Sequence, residues 1–179
     1  MVLAVPTQRT WNTYDITTAA MMNANVRDAV NFLSAPPLFI ALQQTAQSIP
    51  NAFGGGTPLT FGDPGGIVVD SYNGHSTSTN PTRYVAQVAG WYLVEGRSGW
   101  APSATGLRIA GTSVNGAVQK YGTSAPVGGS NWLASVSDIL YLNVGDYVEL
   151  LGYQTSGGAL NTNSGAAYQS SLMVLWVHS

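Results

Sequence analysis

Charge is what this chain has least of: six Lys or Arg and eight Asp or Glu in 179 residues, 8% of the total. An ordinary soluble domain carries roughly 25%. Cysteine is absent, which excludes disulfides, thiol catalysis and Cys-based zinc sites. No apolar run approaches the ~18 residues of a membrane helix, so no helical span is expected. A net charge of −2 leaves no basic surface for nucleic acid. The first ten residues lack a basic stretch followed by an apolar one, so no secretory signal is expected. In place of charge stand 21 glycines and many Ser, Thr, Asn and Gln. A lone monomer uses charge to oppose association. A chain with so little is expected to be covered, by copies of itself or by a larger particle.

The chain divides at Pro36-Pro37. Residues 1–37 read as an extended arm and one helix, residues 38–179 as a β-rich head. Thr17 or Thr18 can cap the helix, since a hydroxyl accepts a hydrogen bond from a free amide of the first turn. Ala19, Met22, Val26, Ala29, Val30 and Leu33 then share one face at 3.6-residue spacing, with Ala20, Ala24, Arg27 and Asn31 opposite. Pro36 disfavours helical geometry at Ala35, and the pair stops the helix. Trp11, Tyr14 and Ile16 are large apolar groups in a segment with no core of its own.

After Pro37 the pattern is β throughout. Strands are expected at 38–47, 57–61, 66–69, 83–95, 105–109, 117–120, 131–142, 147–155 and 170–178, with Gly/Asn/Ser-rich turns between them. Short strands without a second helical pattern indicate an all-β sandwich or barrel. Asn115-Gly116 is a hairpin signal, because both residues tolerate positive φ. Two strands are apolar on both faces. The last carries Leu172, Val174 and Trp176 on one side and Met173, Leu175 and Val177 on the other. The strand at 83–95 sets Tyr84, Val88 and Tyr92 opposite Val85, Ala89 and Trp91, with a bend at Gly90. A strand apolar on both faces needs cover on both. The expectation is a homo-oligomer in which Tyr84, Val88, Tyr92, Leu172, Val174 and Trp176 form the interface.

Four segments carry a resemblance: Ala89-Gly90-Trp91-Tyr92-Leu93-Val94, the Asn115-Gly116 turn, Leu140 through Leu150, and the closing strand Leu172–Val177. Together they resemble the trimeric jelly-roll heads of the complement subcomponents and the tumour necrosis factors, over residues 38–179. Phe61 followed by Asp70 and Tyr72 fits the segment before the Gly-x-Tyr strand in such heads. No collagen-like tail precedes the head, and Tyr168-Gln169-Ser170 stands where those heads often have an aromatic-Gly pair. The resemblance implies a jelly-roll β-sandwich and a homotrimer. The stretch Trp11–Leu33, followed by Pro-Pro, resembles a leader of virion proteins from tailed phages of actinobacteria, where it precedes varied β-rich heads often described as minor tail proteins. That likeness implies a virion location, as capsid decoration or minor tail protein. It also implies attachment to other virion proteins through Trp11, Tyr14, Met22, Val26, Val30 and Leu33.

Chemistry-bearing motifs are few. Asp146 and Glu149 are close in sequence, but Asp146 follows Gly145 in a turn signal, and its expected role is to hold that turn. Asp70 and Asp138 lack the Asp-x-Asp-x-Asp-Gly spacing of a calcium loop, and no metal is expected. His75 lies in a polar loop and His178 at the chain end, with no Gly-x-Ser-x-Gly elbow. Gly54-Gly55-Gly56 has no Lys-Ser/Thr after it and is a connector, not a phosphate loop. No enzyme activity and no cofactor are expected. Trp100 and Trp132, beside Gly/Ser/Pro loops, are candidates for ligand contact, as platforms for a host surface glycan. A receptor- or carbohydrate-binding head for host adsorption is therefore the alternative to a purely structural virion protein.

Overall fold

The computed structural model describes residues 5–7, 9–52, 54–122, 125–126, 130–165 and 167–179. Its strands are β1 (Leu38–Leu42), β2 (Ser48–Ile49), β3 (Thr57–Pro58), β4 (Ile67–Asp70), β5 (Arg83–Val85), β6 (Gly90–Trp100), β7 (Leu107–Val114), β8 (Ala117–Tyr121), β9 (Ala125–Pro126), β10 (Trp132–Leu142), β11 (Tyr147–Gln154), β12 (Leu160–Asn161) and β13 (Ser171–His178). One sheet has the order β10-β6-β13-β1-β4. The facing sheet has the order β3-β11-β7-β8, with β5 also on β11 and β9 on β7. All pairings are antiparallel. The result is a jelly-roll sandwich, as the strand pattern predicts.

The expected strand 83–95 is two strands, one in each sheet. Val85 pairs with Tyr147 of β11, whereas Gly90 pairs with Leu142 of β10. Residues 86–89 cross between the sheets, held by hydrogen bonds from the Ala86 amide to Asp146 O and from the Gly145 amide to Ala86 O. The turn into β6 needs glycine: Gly90 has φ of +149°, and a Cβ there would lie 2.3 Å from Trp176 Nε1. That close approach lets the Trp176 indole N–H donate to Ala89 O at 3.2 Å.

At the other predicted turn, Asn115 (φ 51°) and Gly116 (φ 80°) join β7 to β8. Asn115 also clamps the neighbouring turn. Its Nδ2 donates to Asp146 Oδ1 at 2.7 Å, and its Oδ1 accepts from the Tyr147 amide at 3.0 Å. Asp146 accepts further bonds from the Asn143 amide and Nδ2. These bonds, led by the one from Asn115, hold its carboxyl below the ordinary aspartate range.

The register defines two ends. Gly90, Val114, Leu142, Tyr147 and His178 lie at the base; Trp100, Leu107, Trp132, Gln154 and Ser171 lie at the apex. Glutamine amides, rather than ion pairs, satisfy the buried backbone at the apex. Gln47 Oε1 accepts from the Thr60 amide and hydroxyl, at 2.9 and 2.8 Å. Gln154 Nε2 donates to Ile49 O and Gly158 O, at 3.0 and 2.8 Å. Buried backbone at this end is thus satisfied with little charge, although Gln43 Oε1 and the Arg108 Nε and Nη2 remain unpaired.

Between the sheets the core is aromatic. Phe39 stacks on Tyr84 at 5.2 Å, and Tyr84 meets Tyr92 at 6.4 Å. The Tyr92 hydroxyl donates to Val88 O at 2.6 Å. Burial pushes the Tyr92 phenol up to about 12, and Tyr84 is raised further, again chiefly by burial. A folded-state value above the unfolded one means the stabilisation is intact below pH 10 and lost as pH rises through the folded value. At pH 11 the two phenols together should lower the unfolding free energy by about 2–3 kcal/mol relative to pH 8. Urea titrations at the two pH values test this, and Tyr92→Phe should remove about half of the pH-dependent loss.

At the base, Ala19–Met22 (α1) and Asp28–Ser34 (α2) are α-helical and flank a π-helical turn, Asn23–Arg27. Thr18 is the N-cap, its hydroxyl accepting from the Met21 amide at 3.2 Å. Phe32 is fully buried, edge-on to Trp176 at 4.8 Å and to Tyr72 at 6.5 Å. The helix therefore docks on the head through Phe32, with Met21, Asn25 and Ala29 partly covered, and not through its longer apolar stripe.

Candidate assembly surface

The expected interface residues occupy the interior of the single chain. Tyr84, Val88, Tyr92, Leu172, Val174 and Trp176 all point between the two sheets and are buried. They cannot contact another subunit. Alternation along β6 and β13 then turns the other set of side chains outward: Trp91, Leu93, Glu95 and Arg97 on β6, and Ser171, Met173, Leu175 and Val177 on β13.

Cross-strand pairing arranges these outward residues in rows. One row runs Ile139, Leu93, Leu175, Leu38 across β10, β6, β13 and β1. The next, toward the apex, runs Ser137, Glu95, Met173, Ile40, Val69. Toward the base, Tyr141 meets Trp91 edge-on at 5.6 Å, and Trp91 lies beside His178 at 6.2 Å. Ile139 is 62% exposed, Tyr141 50% and Val177 51%. The first row is apolar across four strands, whereas Ser137 and Glu95 interrupt the second. On the facing sheet the exposed Val118 and Tyr121 of β8 are separated by Gln119 and Lys120, and among the described residues no comparable row forms.

A second apolar surface lies on the helix. Met22, Val26, Val30 and Leu33 are exposed, as are Trp11, Tyr14 and Ile16 ahead of them. Arg9 sits over the Trp11 ring at 4.7 Å and pairs with Asp15 at 3.5 Å. The sequence identifies this stripe but misses Phe32, which lies on the other side of the helix. The hint available in the sequence was Phe32's size beside Leu33 at the helix end.

Trp100 is not a ligand platform. It is fully buried, its indole N–H donating to Ser98 Oγ at 3.0 Å, with the Arg108 guanidinium 5.8 Å from the ring centre. Trp132 pairs with it across β10 and β6, partly covered. Arg108 is itself buried; its Nη1 donates to Thr105 O and Leu107 O, while Nε and Nη2 reach no acceptor. Of the loop 122–130, residues 123–124 and 127–129 lie outside the described residues.

The acids other than Glu95 are occupied structurally. Glu149 is buried, accepting from Thr82 Oγ1 at 2.7 Å and pairing with Arg83 at 3.2 Å. Asp70 accepts from the Gly74 and His75 amides, Asp63 from Thr45 Oγ1, and Asp138 pairs with Lys120 at 3.8 Å. Asp28 pairs with Arg27. Both His75 ring nitrogens face backbone carbonyls, Arg83 O at 2.7 Å and Phe61 O at 2.9 Å, so the ring is a strut for the 72–83 loop. Among the described residues no three of His, Asp and Glu come together as a metal site would require.

The overall fold has counterparts in solved structures. The globular domain of zebrafish complement 1qA matches with a TM-score of 0.54 at 14% identity, over 80% of this chain and 99% of that one. Murine APRIL at pH 5.0 matches with a TM-score of 0.55 at 8% identity, over 78% of this chain and 98% of that one. The fold is the complement/tumour-necrosis-factor-like jelly roll. At such identities the likeness is one of fold. No protein-family model and no curated protein sequence matches the chain.

Proposed function

We propose that this chain is a non-enzymatic structural protein of a phage particle, a homotrimeric jelly-roll spike attached by its N-terminal arm and helix. The observation that carries the reading is the pair of uncovered apolar surfaces on a chain with little charge. The outer face of the β10-β6-β13-β1-β4 sheet is the subunit interface, and the stripe Met22, Val26, Val30 and Leu33 with Trp11 and Tyr14 is the particle contact. The two lie at right places for this division: the helix packs at the base beside the C-terminus, and the apex loops are left free. The phage-type leader at 11–33 favours a virion location, as capsid decoration or minor tail protein.

Light scattering on the purified protein tests the trimer. The expected mass is three times that of the 18.7 kDa chain. Leu175→Asp, which places a carboxylate between Leu93 and Leu38, should give a folded monomer at micromolar concentration. A wild-type monomer, or a trimeric Leu175→Asp, would defeat the interface. Attachment is tested by Val26→Asp/Val30→Asp, which leaves Phe32 seated. Particles lacking the native protein should bind the wild type and fail to bind this variant; equal binding would remove the helix from the contact.

A further inference from the structure

The outer sheet face is not purely apolar: polar groups interrupt it, and Glu95 stands near its centre. Every other carboxylate of the chain has an ion pair or a hydrogen bond from a side chain or backbone amide. Glu95 alone has neither among the described residues. Its row neighbours are Ser137 and Met173. Two residues along β6, on the same face, Arg97 spends one of its donors, Nε, on Ser171 Oγ at 3.0 Å and makes no ion pair. Together with Ser135, these groups line an open groove of about 600 Å³.

Burying a carboxylate in an apolar contact without a cation is strongly unfavourable. If the sheet face is covered, something must bring a positive charge to Glu95 and a negative one to Arg97. A second copy of the same face supplies both. The offset along the strand is two residues, about 7 Å, within the combined reach of an Arg and a Glu side chain. The Arg97 terminal nitrogens are free to fork onto a carboxylate in the geometry Arg favours.

We infer that Glu95 of each subunit pairs with Arg97 of the next, closing a ring of three ion pairs that fixes the order and register of the trimer. This rests on the trimer reading above and sharpens it. The apolar rows supply attraction but, being interchangeable Leu, Ile and Met contacts, define no unique register. The Glu95–Arg97 pair does, because any slip leaves two charges buried without partners.

Charge reversal tests the ring. Glu95→Arg and Arg97→Glu should each raise the trimer dissociation constant about 100-fold or more. The double swap Glu95→Arg/Arg97→Glu should recover most of that loss. Both side chains lie on an open face, so each variant should keep the wild-type circular dichroism as a monomer. Mixing the two single variants adds a sharper readout. An odd ring built from them retains at least one like-charged contact, so mixed trimers should be weaker than the double swap, whereas a dimer would be fully rescued. Single variants that assemble like the wild type, or a double swap no better than the singles, would overturn the pairing while leaving the trimer intact. A wild-type monomer would overturn both. A single variant with altered circular dichroism would be replaced by Glu95→Gln/Arg97→Gln. That neutral pair should still assemble, but less selectively against a heterologous register in crosslinking through Ser137→Cys. One unique crosslinked species from it would count against the ring.

Discussion

Trp100→Ala should destabilise the head by about 3–5 kcal/mol, the usual cost of emptying a large buried aromatic site. For a chain of this length that corresponds to a fall in melting temperature of roughly 6–20 °C. The side chain is fully covered, donates to Ser98 Oγ, and lies beneath the Arg108 guanidinium. Gly152 on the facing sheet is placed so that even a methyl group there would lie 3.3 Å from the Trp100 ring. Truncation opens a cavity at that contact, and the buried Arg108 loses its aromatic neighbour as well. Differential scanning calorimetry reads the effect. Loss of any glycan binding in this variant would report unfolding and not a removed platform. A change below about 1 kcal/mol would mean that the ring is not the apical plug of the core.

Phe32→Ala should produce a loss of similar size, about 3–5 kcal/mol, but confined to the docking of the helix. Phe32 is the single fully buried side chain of the helical segment, wedged edge-on against Trp176 and Tyr72. Without it the helix has only partial contacts through Met21, Asn25 and Ala29. Two short α-helical pieces around a π turn are too short to persist alone in water. Limited proteolysis should therefore cut within residues 17–36 of the variant while the head stays resistant, and the wild type should resist at both. The substitution also uncovers Trp176, so its fluorescence should shift to the red. A variant that protects its helix as the wild type does would show that the arm, through Val5 and Pro6, carries the docking.

Phe32 also bears on how attachment is tested. Removing residues 1–35 would take away a core side chain along with the exposed stripe, so loss of binding would be ambiguous. Substitutions at Val26 and Val30 leave the core intact and separate the two roles. The helix is thus two-sided: one face fastens it to its own head, and the other is free for a neighbour.

Most strand positions were legible in the residue pattern. The Asn115-Gly116 hairpin, the strand 131–142 and the closing strand fall within a residue or two of their expected places, because turn chemistry and alternation are local properties. The jelly-roll class was legible from the Gly90-Trp91-Tyr92 step and the run from Leu140 to Leu150. The segment 83–95 was misread as one strand because leaving one sheet for the other involves no change in alternation. Only the partners, Tyr147 for Val85 and Leu142 for Gly90, reveal the crossing.

By itself the sequence determined that β6 and β13 are apolar on both faces and that the helix carries an unusually apolar stripe. It also determined that charge is scarce, at 8% of the residues. The tertiary structure decided which face is inside. Alternation sorts side chains into two sets but carries no sign, and the sign comes from where the facing sheet lies. That sheet covers Tyr92, Val94, Leu172 and Val174, leaving Trp91, Leu93, Leu175 and Val177 outside. The helix obeys the same logic: its bulkiest inward group, Phe32, fits the gap beside Trp176, and the longer stripe is turned to solvent. The position of Glu95 on the open face has meaning only once that sign is known.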